Sequence, residues 1–225
     1  MNRYIATLAI LLAFFATSVQ AGIVIGGTRV IYNGDKKETS VSINNTSKTD
    51  VYLVQSWVDA GSKSQKAPFI VTPPLFRINP EEENMLRIVR VGGALKQDRE
   101  SVFWLNIKSI PAINGDTSQT NTLQVVIKSR LKLFYRPDGL EGRAEDAWQK
   151  LNVTRSGKVL TINNPTPYFV TLFSLKVDGR EIEEADLLPP EEDVRFTLPS
   201  ANGSSVSWQA INDYGGISPS VSRRL

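Results

Sequence analysis

Past residue 22 the apolar residues of this chain recur at every second position, in short runs closed by turn residues. A helix that buries one face needs apolar residues at i, i+3, i+4 and i+7, whereas period two marks a strand with one buried face. "VYLVQSWV" (51–58), "MLRIVRV" (85–91), "SVFWLNIKSI" (101–110) and "LQVVIKSRLKLFYRP" (123–137) all alternate, and no convincing amphipathic helix interrupts them. "VIYNGDKKETSVSI" (30–43) sets Asn33-Gly34 between two strand-like runs, the strongest short hairpin signal. "TPPLFRINP" (72–80) is broken by Pro73, Pro74 and Pro80. About seven strands at this spacing predict a β-sandwich of immunoglobulin type.

After Pro137 the composition changes. "RPDGLEGRAEDAW" (136–148) is charged and glycine-containing and reads as a linker. The alternation then restarts in "KVLTIN" (158–163), "YFVTLFSLKV" (168–177) with its Asp178-Gly179 turn, "DVRFTL" (193–198) and "SVSWQAIN" (205–212). The expectation is two tandem immunoglobulin-like sandwiches, over 22–140 and 141–225. The closing "SVSRRL" carries no role that its residues indicate.

The N-terminus sets the compartment. "MNRYIATLAILLAFFATSVQA" has Arg3, an apolar run from Ile5 to Phe15, and small residues before Ala21. That is the layout of a secretory signal peptide over 1–21; a membrane anchor needs about 20 apolar residues. Cysteine is absent, so each exported domain must bury an adequate core without disulfides. A bacterial periplasm suits that better than a eukaryotic secretory route.

Composition also narrows the chemistry. Neither histidine nor cysteine occurs, which removes Ser-His-Asp triads, Cys-His dyads and the usual zinc sites together. "VGG" (91–93) and "YGG" (214–216) lack the rest of a phosphate loop. Residue types leave a two-carboxylate glycosidase open, but two sandwiches of about 100 residues leave little chain for a substrate groove. No enzyme, cofactor, metal or small-molecule substrate is expected. Glu181, Glu183, Glu184 and Asp186 lack calcium-loop spacing and read as a solvated surface. A formal net charge of +3 argues against nucleic acid as a bulk electrostatic partner.

One segment is unusual. The alternation of 123–137 runs for about thirteen residues, where strands commonly have 5–6. Leu123, Val125, Ile127, Leu131, Leu133 and Tyr135 share one parity, and Lys128, Arg130 and Lys132 share the other. By periodicity alone, Leu123, Val125 and Ile127 would face the core of their own domain; Val126 fits neither pattern.

Taken together, "GTRVIYNG" (27–34), "TPPLFRINP", "DRESVFWLNIKSIP" (98–111), the 123–137 run, "NNPTPYFVTL" (163–172) and "INDYGG" (211–216) resemble the periplasmic pilus-assembly chaperones of the PapD-like group. The likeness spans the chain past residue 22, in order and spacing. It implies two sandwiches meeting in an L, and a long strand given to pilin subunits that lack their last strand. Leu123, Val125 and Ile127 would enter the subunit's groove. Arg29 and Lys132 would hold the subunit's C-terminal carboxylate, although Lys132 has the opposite parity to Leu123, so that twist or a bulge must reconcile the two roles. Glu100, Arg136 and Asp213 would form a network fixing the inter-domain angle, while Lys128 and Arg130 read as solvated. The short loop "PAINGDTSQTN" (111–121) is similar to those of chaperones serving rod-like pili. The implied partners are fimbrial subunits and an outer-membrane usher, and the exposed strand leaves self-association of the empty protein open.

Two other classes compete. A tandem-immunoglobulin surface protein or adhesin would polymerise through a free N-terminal extension, for which Gly22–Gly27 looks short. A carbohydrate-binding module would gather its aromatics on one surface, whereas Trp57, Trp104, Trp148 and Trp208 fall in separate strand or linker positions.

Overall fold

The computed structural model describes residues 22–61, 66–112, 123–201 and 203–225. The expected leader (1–21) and most of the 111–121 loop lie outside these residues. Among the described residues no helix is long and apolar enough to cross a membrane.

The first half folds into two facing sheets. One contains β1 (Ile23–Ile25), β3 (Glu38–Asn45), β7 (Glu83–Arg90) and β5 (Phe69–Thr72), in the order β1-β3-β7-β5. The other contains β2 (Arg29–Asn33), β9 (Ile127–Arg136), β8 (Ser101–Pro111), β4 (Tyr52–Asp59) and β6 (Leu75–Ile78), in the order β2-β9-β8-β4-β6. Period-two side chains meet between them: Ile43 and Leu86 from one sheet, Val54, Leu105 and Leu133 from the other, all fully buried. Tyr32, Phe69 and Phe103 extend that core as edge-on ring pairs about 5 Å apart.

Two sequence expectations change here. Asn33-Gly34 does not close a hairpin: β3 pairs with β1 and β7, while β2 pairs in parallel with β9. The Gly34 N–H bonds to the Arg136 carbonyl at 2.7 Å, so the chain continues the β2–β9 ladder before crossing to the other sheet. The 123–137 run is also not strand throughout. Its ladder with β8 begins at Ile127↔Ser109; carried further, the register would set Val125 against Pro111, which has no N–H to give. The prolines of 72–80 act at another crossing, between β5 and β6 in opposite sheets.

The second half is a smaller sandwich. β10 (Asn152–Ser156), β11 (Val159–Asn164) and β15 (Glu192–Thr197) form one sheet. β12 (Val170–Val177), β13 (Arg180–Glu181), β14 (Leu187–Leu188), β16 (Ser205–Ile211) and β17 (Val221–Arg224) form the other. Trp208, Leu160, Leu175 and Leu188 fill its centre. The expected linker is only partly one: Ala144–Gln149 is a short 3-10 helix that buries Ala147, and the Trp148 carbonyl accepts the Trp208 indole N–H at 2.9 Å. The closing "SVSRRL" supplies β17, paired with β16, and Arg223 lies over the Trp208 ring.

The Asp178-Gly179 turn has positive φ at both residues, 47° and 79°, as a type I′ turn requires. The Asp178 carboxylate accepts the Ser204 and Ser205 backbone N–H groups at 3.1 and 2.9 Å. These bonds hold its pKa below the ordinary aspartate value. A depressed carboxylate stabilises the fold above its unfolded pKa, and that contribution is lost as pH falls through the folded pKa. Asp178→Asn is therefore expected to lower the urea midpoint at neutral pH, with the gap to the unsubstituted protein closing as the pH drops below the normal aspartate range. A gap that stays constant with pH would show that the charge contributes nothing.

Candidate functional site

β2 and β9 are parallel and in register, with Arg29 directly opposite Lys132. Two residues separated by about a hundred positions are thus Cα partners at the point where β2 first pairs with β9. Both side chains point to the second sandwich. Arg29 Nη1 donates to Thr171 Oγ1 and to the Ile211 carbonyl, both at 3.2 Å. Its Nε is buried and makes no hydrogen bond among the described residues. Burial lowers the Arg29 pKa, with Asp213 and Asp186 acting in the opposite sense. A guanidinium stays charged under such a shift, so the site holds a half-buried cation whose Nε is an unused donor among the described residues. Lys132 Nζ lies 2.6 Å from Asp186 Oδ1.

Leu123, Val125, Val126 and Ile127 lead up to this pair and are all exposed, by 88%, 62%, 42% and 59%. They do not face their own core as periodicity alone suggested. The sandwich interior ends near Leu131 (7% exposed), and among the described residues nothing covers those of the same parity beyond it. The β8–β9 register runs unbroken from Ser109↔Ile127 to Ser101↔Tyr135. No bulge therefore lies within β9; the run leaves the β8 ladder before Ile127, so Leu123 and Val125 are not held to the alternation that places Lys132. One edge of β9 is bonded to β8 from Ile127 to Tyr135; on the other, β2 covers only Lys132 to Arg136. From Ile127 to Leu131 that second edge has no strand partner among the described residues.

Glu100, Arg136 and Asp213 meet between the sandwiches. Arg136 Nε donates to Glu100 Oε1 at 2.6 Å, and its two terminal nitrogens donate to both Asp213 oxygens at 2.7 and 3.0 Å. Glu100 Oε2 accepts the Phe169 N–H at 2.7 Å, and the Glu100 N–H reaches the Pro167 carbonyl. Burial raises the Glu100 pKa against the pull of Arg136. Burial also opposes the Arg136 charge, but Asp213 and Glu100 outweigh it and raise that pKa above the usual value. Asp213 is aimed by the "INDYGG" turn, in which Asn212 Oδ1 accepts the Tyr214 and Gly216 N–H groups. Gly215, at φ 85°, must be glycine: a Cβ there would stand 2.6 Å from Thr28 Oγ1 of the first sandwich. Beside the network lies a cavity of about 350 Å³ lined by Arg29, Phe134, Trp148, Phe169 and Asp213.

Sequence reasoning missed several residues. Lys128 and Arg130 stack over the Trp57 and Trp104 rings, and Arg130 also pairs with Asp59; alternation shows which face they occupy but not their neighbours on other strands. Arg99 bridges to Glu191 across the domains at 2.5 Å. Of the acidic run, Glu181 accepts the Leu175 N–H and Asp186 takes Lys132. Among the described residues no group of acids is placed to hold a metal ion.

The chain belongs to the PapD family: residues 22–141 match the model for the "pili and flagellar-assembly chaperone, PapD N-terminal domain", and 146–222 match the PapD C-terminal domain. Among its relatives is the chaperone protein LpfB of Salmonella typhimurium, 41% identical, with 100% of this chain and 98% of that one aligned. The chaperone protein FimC of Escherichia coli is 42% identical over 95% of this chain and 90% of its own. Among solved structures, the Salmonella enterica SafB chaperone in complex with the SafA pilin matches with a TM-score of 0.82 at 36% identity, over 93% of this chain and 99% of that chain. The Escherichia coli chaperone DraB matches with a TM-score of 0.80, over 90% and 98%. The protein is a fimbrial chaperone, and pilus-assembly chaperones are not an enzyme class.

Proposed function

We propose that this chaperone holds a fimbrial subunit by lending it the edge of β9, with Arg29 and Lys132 receiving the subunit's C-terminal carboxylate. The observation that carries this reading is the geometry of that edge. A strand added to β9 between Ile127 and Leu131 meets the start of β2 and must end there. If it runs parallel to β9, its last residue stops at Arg29 and Lys132; if antiparallel, its first residue does. A terminal carboxylate gains charge-assisted hydrogen bonds from the two cations, whereas a terminal ammonium is repelled. These contacts support a parallel strand that ends in a free carboxylate. Leu123, Val125 and Ile127, at and before the start of this edge, then supply the apolar side chains that the subunit buries, each contributing about 1.5–3 kcal/mol.

On this reading the protein acts without catalysis in the periplasm, after removal of a leader over 1–21. It keeps the subunit's unpaired edge from aggregating and passes it to an outer-membrane usher. The domains divide near residue 140, and the network of Glu100, Arg136 and Asp213 sets their angle. When no subunit is held, the same free edge is open to a second copy of the chain.

The test is co-purification of the C-terminally tagged chaperone from the periplasm of its fimbriated host, with Val125→Glu in parallel. The variant should recover less than a tenth of the subunit while melting at the temperature of the unsubstituted protein, because Val125 is exposed when the chaperone is empty. Normal subunit recovery, or collapse of the free variant, would show that Val125 is not a donated residue.

A further inference from the structure

Lys132 is not bare in the empty chaperone. Asp186 lies against it across the domain boundary at 2.6 Å, although its own side chain is 66% exposed. The segment carrying Asp186 is fixed: its carbonyl accepts the Leu172 N–H at 2.7 Å, and the next residue, Leu187, pairs with Thr171. Thr171 is the residue whose hydroxyl accepts from Arg29. One short piece of the second sandwich, β12 and the entry to β14, thus faces both cations. It offers Arg29 the neutral Thr171 hydroxyl and offers Lys132 a carboxylate.

We infer that Asp186 is a displaceable stand-in for the subunit's terminal carboxylate, and so a determinant of how tightly subunits are held. This rests on the anchor reading above. The contrast with Asp213 gives the physical reason. Asp213 makes a two-pronged pair with a largely buried Arg136 and is fixed within its turn. Asp186 makes a single contact from the rim, so releasing it returns to water a group that is already mostly in water, at little desolvation cost. An incoming carboxylate exchanges with it at Lys132 and additionally meets Arg29, whose buried Nε has no acceptor. Asp186 therefore keeps the lysine neutralised and placed until a subunit arrives, and lowers the net gain of capture. Because one ion pair is traded for another at Lys132, capture should also depend only weakly on salt.

The experiment measures binding of a fluorescent twelve-residue peptide of alternating apolar and polar residues, with a free C-terminal carboxylate, and of its C-terminal amide. The proteins are the unsubstituted chaperone, Asp186→Asn, Lys132→Met and the double variant. Asp186→Asn should bind the carboxylate peptide about two- to fivefold more tightly, with a steeper loss of affinity on adding salt. It should leave the amide peptide unchanged and have no effect when Lys132 is already Met. Unchanged or weaker binding of the carboxylate peptide by Asp186→Asn would overturn the stand-in role while leaving the anchor intact. If Lys132→Met instead binds both peptides as the unsubstituted protein does, the anchor reading itself fails, and the stand-in role fails with it.

Discussion

Arg136→Met is expected to destabilise the protein by about 3–5 kcal/mol at neutral pH, the usual cost of stranding a buried charge by deleting its partner. The substitution leaves Glu100, 3% exposed, with only the Phe169 N–H on one oxygen, and leaves Asp213 without either of its arginine bonds. Burial already raises the Glu100 pKa while Arg136 opposes it; without Arg136 the rise is larger. A raised carboxylate pKa means that the folded state binds the proton more tightly than the unfolded state, so stability recovers as pH falls through that folded pKa. The deficit should therefore be greatest near neutrality and shrink in mild acid, and adding Glu100→Gln should restore part of it. Urea unfolding at a series of pH values checks this. A loss below about 1 kcal/mol, or one that grows on acidification, would show that the network is not held as a buried charged unit.

Legibility in the sequence followed the range of each interaction. Strand content and two sandwiches were readable because alternation is local and repeats in every segment. Partner choice was not. Asn33-Gly34 has hairpin chemistry, yet β2 leaves its sequence neighbour for a strand a hundred residues away, since Val30 and Tyr32 complete a core that β9 also lines. The 3-10 helix escaped notice because a helix of six residues has no period to detect, and β17 because "SVSRRL" contributes one half-buried valine and leaves the rest of its strand exposed.

The candidate site divides in the same way. Family resemblance pointed to Arg29, Lys132 and the three network residues, and the fold brings each group together. Their settings were beyond the sequence. Nothing in "TRV" says that Arg29 Nε ends up buried without an acceptor, and nothing in "EEAD" says that its last residue reaches Lys132, because both depend on how two separately folded units dock. Leu123, Val125 and Ile127 show the opposite case. Their parity matched core residues of the same strand, and only the end of the sandwich at Leu131 separates the covered part of the run from the uncovered part.

Lys132→Ala is expected to cost about 2–5 kcal/mol of subunit binding, which is roughly 30- to several-thousand-fold in affinity, while the free protein loses no more than about 1 kcal/mol. On the proposed reading Lys132 has different partners in the two states, and this separates the two magnitudes. In the empty chaperone it faces Asp186, whose carboxylate is mostly solvated, so deleting the lysine strands nothing. On that reading the subunit's terminal carboxylate sits between Arg29 and Lys132, and losing one of the two cations leaves it underpaired. Arg29→Ala is a less selective probe, since Arg29 also bonds to Thr171 and Ile211 and its loss loosens the contact between the sandwiches. Lys132→Arg keeps the charge and should retain part of the binding, which distinguishes an anion site from simple filling of the cleft. Subunit affinity and thermal midpoint, measured on the same preparations, decide the matter. Equal losses in both would make Lys132 a structural residue, whereas loss confined to binding places the carboxylate at the junction of β2 and β9.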